Sequence, residues 1–180
     1  ERPDLGVTVF EGDADPRDGT APRRRIGPRG VAGDASGYHA ARIAAGLPEQ
    51  GFDFAAEDVF PADINMDLLQ GVDFRKGCFV GQEVVSRMKR RGTARRRTLK
   101  ATVAQGVAAP APIEANGFEI GMLTSISGGA GLARVRIDRL AEAQAKGEAI
   151  TANGAAVTFD NPAWLAGELA AMAEAKEAKA

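Results

Sequence analysis

Apolar and polar positions along this chain follow two different rhythms. Near the start, LGVTVF (Leu5 to Phe10) alternates in the manner of a strand with one buried face. The next stretch, EGDADPRDGTAPRRRIGPRG (residues 11–30), breaks that alternation with Gly, Pro, Asp and Arg and reads as an exposed, partly disordered connection. A helix is expected over Tyr38 to Ala45, with Ser36 as its N-cap, Gly46 at its stop and Pro48 beyond. Ile43 and Leu47, with Tyr38 and the alanines, form a face suited to packing on a sheet. FPADINMDLLQG then carries Ile64, Leu68 and Leu69 at helical spacing up to Gly71, and Glu83 to Arg90 suits a further short helix.

From about residue 94 the period shortens to two. Thr98 to Val103, Phe118 to Ser127, Gly131 to Ile137 and Ala155 to Phe159 have strand composition. Asn116-Gly117 and Asn153-Gly154 are hairpin-turn dipeptides. Short strands with such turns predict a small antiparallel barrel or sandwich. The tail AWLAGELAAMAEAKEAKA is an alanine-rich helix former with a fraying end. The fold class is therefore α+β, divided into residues 1–93, a β-rich unit over 94–165 and a helical or frayed tail over 166–180. The opening, ERPDLGVTVF, enters a strand at once without an initiator Met, as expected of the C-terminal part of a longer protein.

Composition narrows the chemistry. Hydrophobic residues make up 44% of the 180, enough for real cores, and the net charge of −1 supplies no global field towards nucleic acid or anionic membrane. One cysteine, Cys78, excludes an intrachain disulfide framework, and one histidine, His39, argues against a zinc site of usual composition. Together they suggest a reducing compartment, most simply the cytoplasm. No apolar run approaches the ~18 residues that cross a bilayer, so no membrane partner is expected.

Two segments carry candidate chemistry. In KGCFVGQE (residues 76–83), Gly77 and Gly81 permit a loop whose N–H groups converge on one point, a cradle for a carboxylate or phosphate. Lys76, with Arg75 and Arg87 nearby in sequence, would lower the pKa of Cys78 and favour its thiolate, the form needed for a reactive thiol or a soft-metal ligand. A lone cysteine between Gly and Phe is, however, more often a small buried hydrophobe than a nucleophile. The other segment, SRMKRRGTARRRTLK (residues 86–100), holds eight basic residues and no acid, which leaves the rest of the chain at −9. Such a patch suits a polyanion, RNA included, or a domain junction whose arginines pair with carboxylates elsewhere.

Taken together, these segments resemble a family. KGCFVGQEVVSR followed by RRGTARRR is similar to the signature of YgfZ-type folate-binding proteins, relatives of the glycine-cleavage T-protein (aminomethyltransferase). The family pattern is matched at Lys76, Gly77, Cys78, Phe79, Gly81, Gln82 and Glu83. YHAARIAAGLPEQGFDF, FPADINMDLLQGVDF, EIGMLTSIS and GLARVRIDR extend the resemblance over about residues 35 to 165. It implies a T-protein-like fold, with a ferredoxin-like α+β segment followed by a C-terminal barrel. It implies binding of tetrahydrofolate or a derivative at Tyr38, Asp63, Lys76, Gly77, Cys78, Gln82, Glu83 and Arg87, with Tyr38 stacking on the pterin. It also implies support of iron–sulfur protein assembly or repair, including radical enzymes that modify tRNA. Cys78 would then be a reactive thiol or a ligand to a transient iron–sulfur cluster, no other metal being expected, with iron–sulfur carrier or client proteins as partners and direct tRNA contact as an alternative. T-proteins carry a glutamate where Ala44 stands here, and Asp63 is one methylene shorter than the usual Glu. Aminomethyl transfer is thereby disfavoured as the activity, although a one-carbon transferase remains the rival reading.

Overall fold

A computed structural model describes residues 5–30, 33–77, 83 and 94–177. Its element order is β1 (Leu5–Asp13), β2 (Arg24–Pro28), α1 (Ser36–Ala44), β3 (Arg96–Val103), β4 (Ala111–Ala115), β5 (Phe118–Ser127), β6 (Ala130–Arg136), α2 (Ile137–Ala145), β7 (Ile150–Ala152), β8 (Ala155–Phe159) and α3 (Ala163–Glu177). The molecule is α+β, and its centre is a closed six-stranded barrel in the order β3-β6-β5-β4-β7-β8. Every barrel pairing is antiparallel.

The barrel closes where its turns demand left-handed backbone. Asn116 and Gly117 sit at φ 49 and 76, and Asn153 and Gly154 at φ 48 and 79. Two successive left-handed residues are the requirement of a two-residue hairpin turn that matches strand twist. Inward positions of the strands supply the core: Leu99, Ile113, Leu123, Ala133, Val135 and Val157 are almost fully buried. Ile137, Leu140 and Ala143 of α2 and Leu165 of α3 close its ends.

Ahead of the barrel, β1 and β2 form an antiparallel hairpin with an irregularity between Val9 and Asp13. The expectation of an exposed, partly disordered connection over residues 11–30 is thus corrected at its ends, where residues 11–13 and 24–28 are strand and residues 14–23 connect them. Arg24 to Pro28 pairs as a strand with Leu5 to Val9, and Phe10 and Gly12, both at positive φ, lie where the β1 register shifts so that Asp13 again faces Arg24. Helix α1 packs on β5 and β6 with Ile43 and Leu47 inward. Its N-cap is Ala35, not Ser36. Asp34 instead accepts from the backbone N–H of Ser36 at 2.9 Å and from its hydroxyl at 2.6 Å, so the side chain nominated as cap is already spent.

The expected helix over FPADINMDLLQG is also corrected, since residues 61–70 form consecutive turns. Asn65 and Gln70 lie at φ 58 and 59, outside the helical region. The hydrogen bonds change span accordingly, from Asp63 N–H to Phe60 O and from Met66 N–H to Pro61 O. The proposed helix at Glu83 to Arg90 lies outside the described residues apart from Glu83.

Candidate functional site

Two buried arginines join the pre-barrel segment to the barrel. Arg42, on α1, is 2% exposed. Its guanidinium meets Asp53 at 2.6 Å and donates to His39 Nδ1 at 3.0 Å, to Leu47 O at 3.2 Å and to Ser125 Oγ at 3.2 Å. Asp53 in turn accepts from Thr124 Oγ1 at 2.6 Å and from the Glu49 N–H at 2.9 Å. Consecutive strand residues ordinarily point to opposite faces. Here the β5 register shifts between Leu123 and Ser125, and both Thr124 and Ser125 reach the same ion pair.

Arg97, on β3, is 1% exposed and forms the second junction. It contacts Asp67 at 2.6 and 3.0 Å, Glu168 of α3 at 2.6 Å and the Ala62 carbonyl at 2.9 Å. Its guanidinium carbon lies 5.8 Å from the Trp164 ring centroid. Beside it, Asn65 donates to Thr98 O at 2.6 Å and Thr98 Oγ1 donates to Asp63 O at 2.9 Å. Within the basic stretch, then, Arg97 behaves as the junction reading supposed. It is committed to carboxylates and is withdrawn from any polyanion surface, whereas Arg95, Arg96 and Lys100 are exposed.

The nominated ligand residues fall at separate places. Tyr38 is half-buried on the first turn of α1, edge-on to His39 at 5.4 Å between centroids. Burial, then the neighbouring Glu49 carboxylate, raises its phenol above the ordinary pKa. Arg17 grips Asp15 at 2.7 Å, with Arg24 on the same carboxylate at 2.9 Å. Asp63 is buried and takes the Phe60 N–H at 3.2 Å; desolvation pushes its pKa up. Lys76 and Gly77 are exposed on the segment after Gly71, and Glu83 is exposed as well. Cys78, Gln82 and Arg87 lie outside the described residues. Ala44, where T-proteins carry an acid, is exposed. Among the described residues, no group of three His, Cys, Asp or Glu is placed to hold a metal ion, and no helix is long and apolar enough to cross a membrane.

The residues that sequence reasoning passed over are Asp53, Asp67, Glu168 and Asn65. All four bond across loops or between elements, and their spacing carries no periodic signal. The one available hint was GFDF, a carboxylate set between two phenylalanines.

These features define a class: an α+β protein in which a closed barrel receives a helix and a turn segment through buried arginine–carboxylate junctions. Residues 95–167 match the family model of the CAF17 C-terminal beta-barrel domain. Over 75 residues the chain is 43% identical to a Neurospora crassa protein named iron-sulfur cluster assembly factor IBA57 homolog, mitochondrial, covering 42% of this chain and 17% of that one. Over 100 residues it is 32% identical to the Mus musculus iron-sulfur cluster assembly factor IBA57, mitochondrial, covering 56% and 26%. The Coccidioides immitis homolog is 44% identical over 64 residues, 36% of this chain and 15% of that one. The chain thus spans about a quarter or less of the length of these relatives. All three are named mitochondrial, so the expectation of a cytoplasmic setting gains no support from them.

Proposed function

We propose that this chain is the barrel-bearing part of an iron–sulfur cluster assembly factor that also binds a folate. The observation that carries the reading is the coincidence in one chain of the barrel over residues 95–167 and the KGCFVGQE thiol motif just before it. Similarity to relatives named as iron–sulfur assembly factors supports it. A single thiol supplies at most one ligand, whereas clusters of the ordinary kind take four. A cluster is therefore cargo, held jointly with a carrier or client that brings the remaining thiolates, and the exposure of Lys76 and Gly77 suits such an approach. For the folate, Tyr38 offers a half-exposed ring, Arg17 and Arg24 lie near enough to bear on its phenol, and Glu49 sets an acid beside it. Aromatic face, acid and cations are the groups that a pterin with a glutamate tail would use. Client enzymes that modify tRNA are the finer form of this proposal.

The test uses full-length protein in cells lacking the wild-type copy. Cys78→Ser is expected to depress the activity of a [4Fe–4S] enzyme at unchanged protein level, and undiminished activity would return Cys78 to a packing role. Tyr38→Leu separately probes the folate. Calorimetric affinity for tetrahydrofolate should fall by about tenfold or more, the loss of one stacking contact; equal affinity would remove Tyr38 from the site.

A further inference from the structure

The arginine junctions leave part of the basic stretch unused. Strands β3 and β6 pair Arg96 opposite Arg136 and Thr98 opposite Arg134. Leu99, Ala133 and Val135 point into the core, so alternation sets these four side chains on the outer face of the barrel. Side chains directly opposite one another are about 5 Å apart at Cβ. The row at Arg134 continues through Met122 of β5 and Pro112 of β4, both half-buried. Arg95 extends the pairing by one residue, its carbonyl accepting from the Ile137 N–H at 3.0 Å.

Charges on this face do not balance one to one. Arg136 is held by Asp138 through hydrogen bonds of 2.9 and 2.6 Å, and Arg134 meets Asp58 at 3.1 Å. Asp63 lies close enough to attract Arg96 and Arg134, but it is buried and takes the Phe60 N–H instead. Arg95 and Arg96 are exposed, and neither side chain makes a hydrogen bond or ion pair among the described residues. In sequence, Arg87, Lys89, Arg90 and Arg91 lead into Arg95 with no acid between. Like charges directly opposite each other destabilise a sheet. Arg96 therefore occupies a position where a neutral or acidic side chain would suit the barrel better. A residue that breaks a local rule without a return in packing is expected where binding supplies the return.

We propose that the outer face of β3 and β6 docks an acidic segment of a partner protein. Its carboxylates meet Arg95 and Arg96, and its apolar side chains lie over Met122 and Pro112. The kind of partner rests on the assembly-factor reading, in which a carrier or client brings the remaining thiolates to Cys78. Arginine and methionine are both enriched at protein interfaces. A nucleic acid fits less well. Asp58 and Asp138 stand against Arg134 and Arg136, where they would repel a continuous run of phosphates. No aromatic interleaves with the arginines of residues 86–100. Discrete carboxylates can reach Arg95 and Arg96 and leave both existing pairs intact.

The probe is a fluorescein-labelled peptide of repeated Glu-Glu-Leu units, titrated by anisotropy into the full chain at about 50 mM salt, where surface charge is only partly screened. Repeated Gln-Gln-Leu units serve as the neutral control, and oligouridylate of equal length as the nucleic-acid arm. The acidic peptide should bind saturably and at least about tenfold more tightly than either. Arg96→Glu should weaken it by about tenfold. Lys146→Glu, the same change of net charge at an exposed site after α2, should alter binding by less than about twofold. Because Arg96→Glu sets an acid opposite Arg136, its melting temperature should equal or exceed that of the wild type. Binding no tighter than that of the glutamine peptide overturns the proposal, as does indifference to Arg96→Glu or an equal loss with Lys146→Glu. Tighter binding of oligouridylate would reassign the face to nucleic acid. A lower melting temperature would show that Arg96 is held by the fold and is not free for a partner. No cluster, thiol or folate enters this test. Cys78→Ser can leave client activity undiminished while the peptide binds, and the peptide can fail to bind while Cys78 proves essential.

Discussion

Single residues at the junctions set where charge is stabilising and where it is not. Arg97 is nearly fully buried between Asp67 and Glu168, so replacing it with alanine strands two carboxylates in a poorly solvated place. The expected loss is about 3–5 kcal/mol in denaturant unfolding, against 1 kcal/mol or less for an exposed pair. Arg97→Ala within 1 kcal/mol of wild type would mean that water reaches the site. Asp15 makes a different prediction. Its hydrogen bond to the Arg17 side chain, opposed by burial and aided by Arg24, holds its pKa at about 2 against the ordinary 3.8. A depressed folded-state value means that the charged form is the stabilising one. The contribution is complete above the unfolded pKa and is lost as pH falls from about 4 towards 2. Asp15→Asn should therefore cost about 2 kcal/mol at pH 7, with the gap to wild type closing over that acid interval in parallel melts. A gap that is constant with pH would assign the loss to packing.

At the scale of elements, the barrel's glycines separate two reasons for lacking a side chain. Gly117 stands in open space and needs only its φ of 76, so Gly117→Ala should cost about 1 kcal/mol. A Cβ on Gly121 would come within 2.5 Å of the Arg134 carbonyl and 2.7 Å of the Val135 Cα, backbone that cannot step aside without splitting β5 from β6. Gly121→Ala should cost about 2 kcal/mol or more, and thermal melts that rank the two variants the other way would contradict this account. The same elements show what was legible in the sequence. Phe118 to Ser127 and Ala155 to Phe159 could be bounded from alternation and the Asn-Gly turns alone. β4 and β7 were not, because APIEA holds one β-branched residue and no aromatic, and ITA is only three residues long. α2 escaped because it follows β6 with no break, its N-cap Arg136 still extended. The turn segment imitated a helix since Leu68 and Leu69 fall at helical spacing even when left-handed Asn65 interrupts the ladder. Of the candidate site, the motif residues and Tyr38 were visible by pattern. The arginine junctions were not, because an ion pair between Arg42 and Asp53, or between Arg97 and Glu168, leaves no period to read.

For the molecule as a whole, the two kinds of interaction are unevenly distributed. The hydrophobic cluster draws all its buried members from Leu99 to Leu165. Ahead of residue 94, the described residues bury Ala21, Ile43 and Leu47 as hydrophobics. Besides the packing of Ile43 and Leu47 on β5 and β6, that part is joined to the barrel by polar links: Arg42 to Ser125, Thr124 to Asp53, Asn65 to Thr98, Arg97 to Asp67 and Arg134 to Asp58. Polar junctions position one body on another but supply little net free energy, because each group must first give up water. A barrel closed on itself has no open edge and carries its own core. Residues 94–177 alone should consequently fold, with β-rich circular dichroism and one cooperative thermal transition, whereas residues 1–93 alone should show none. In that fragment Arg97 keeps Glu168 but loses Asp67 and gains water, so Arg97→Met should cost well under the ~3 kcal/mol expected in the whole chain. A fragment that is unfolded while the whole chain melts cooperatively would show that the junctions complete the barrel rather than dock onto it. It would also move the boundary placed at residue 93 into the interior of a single folding unit.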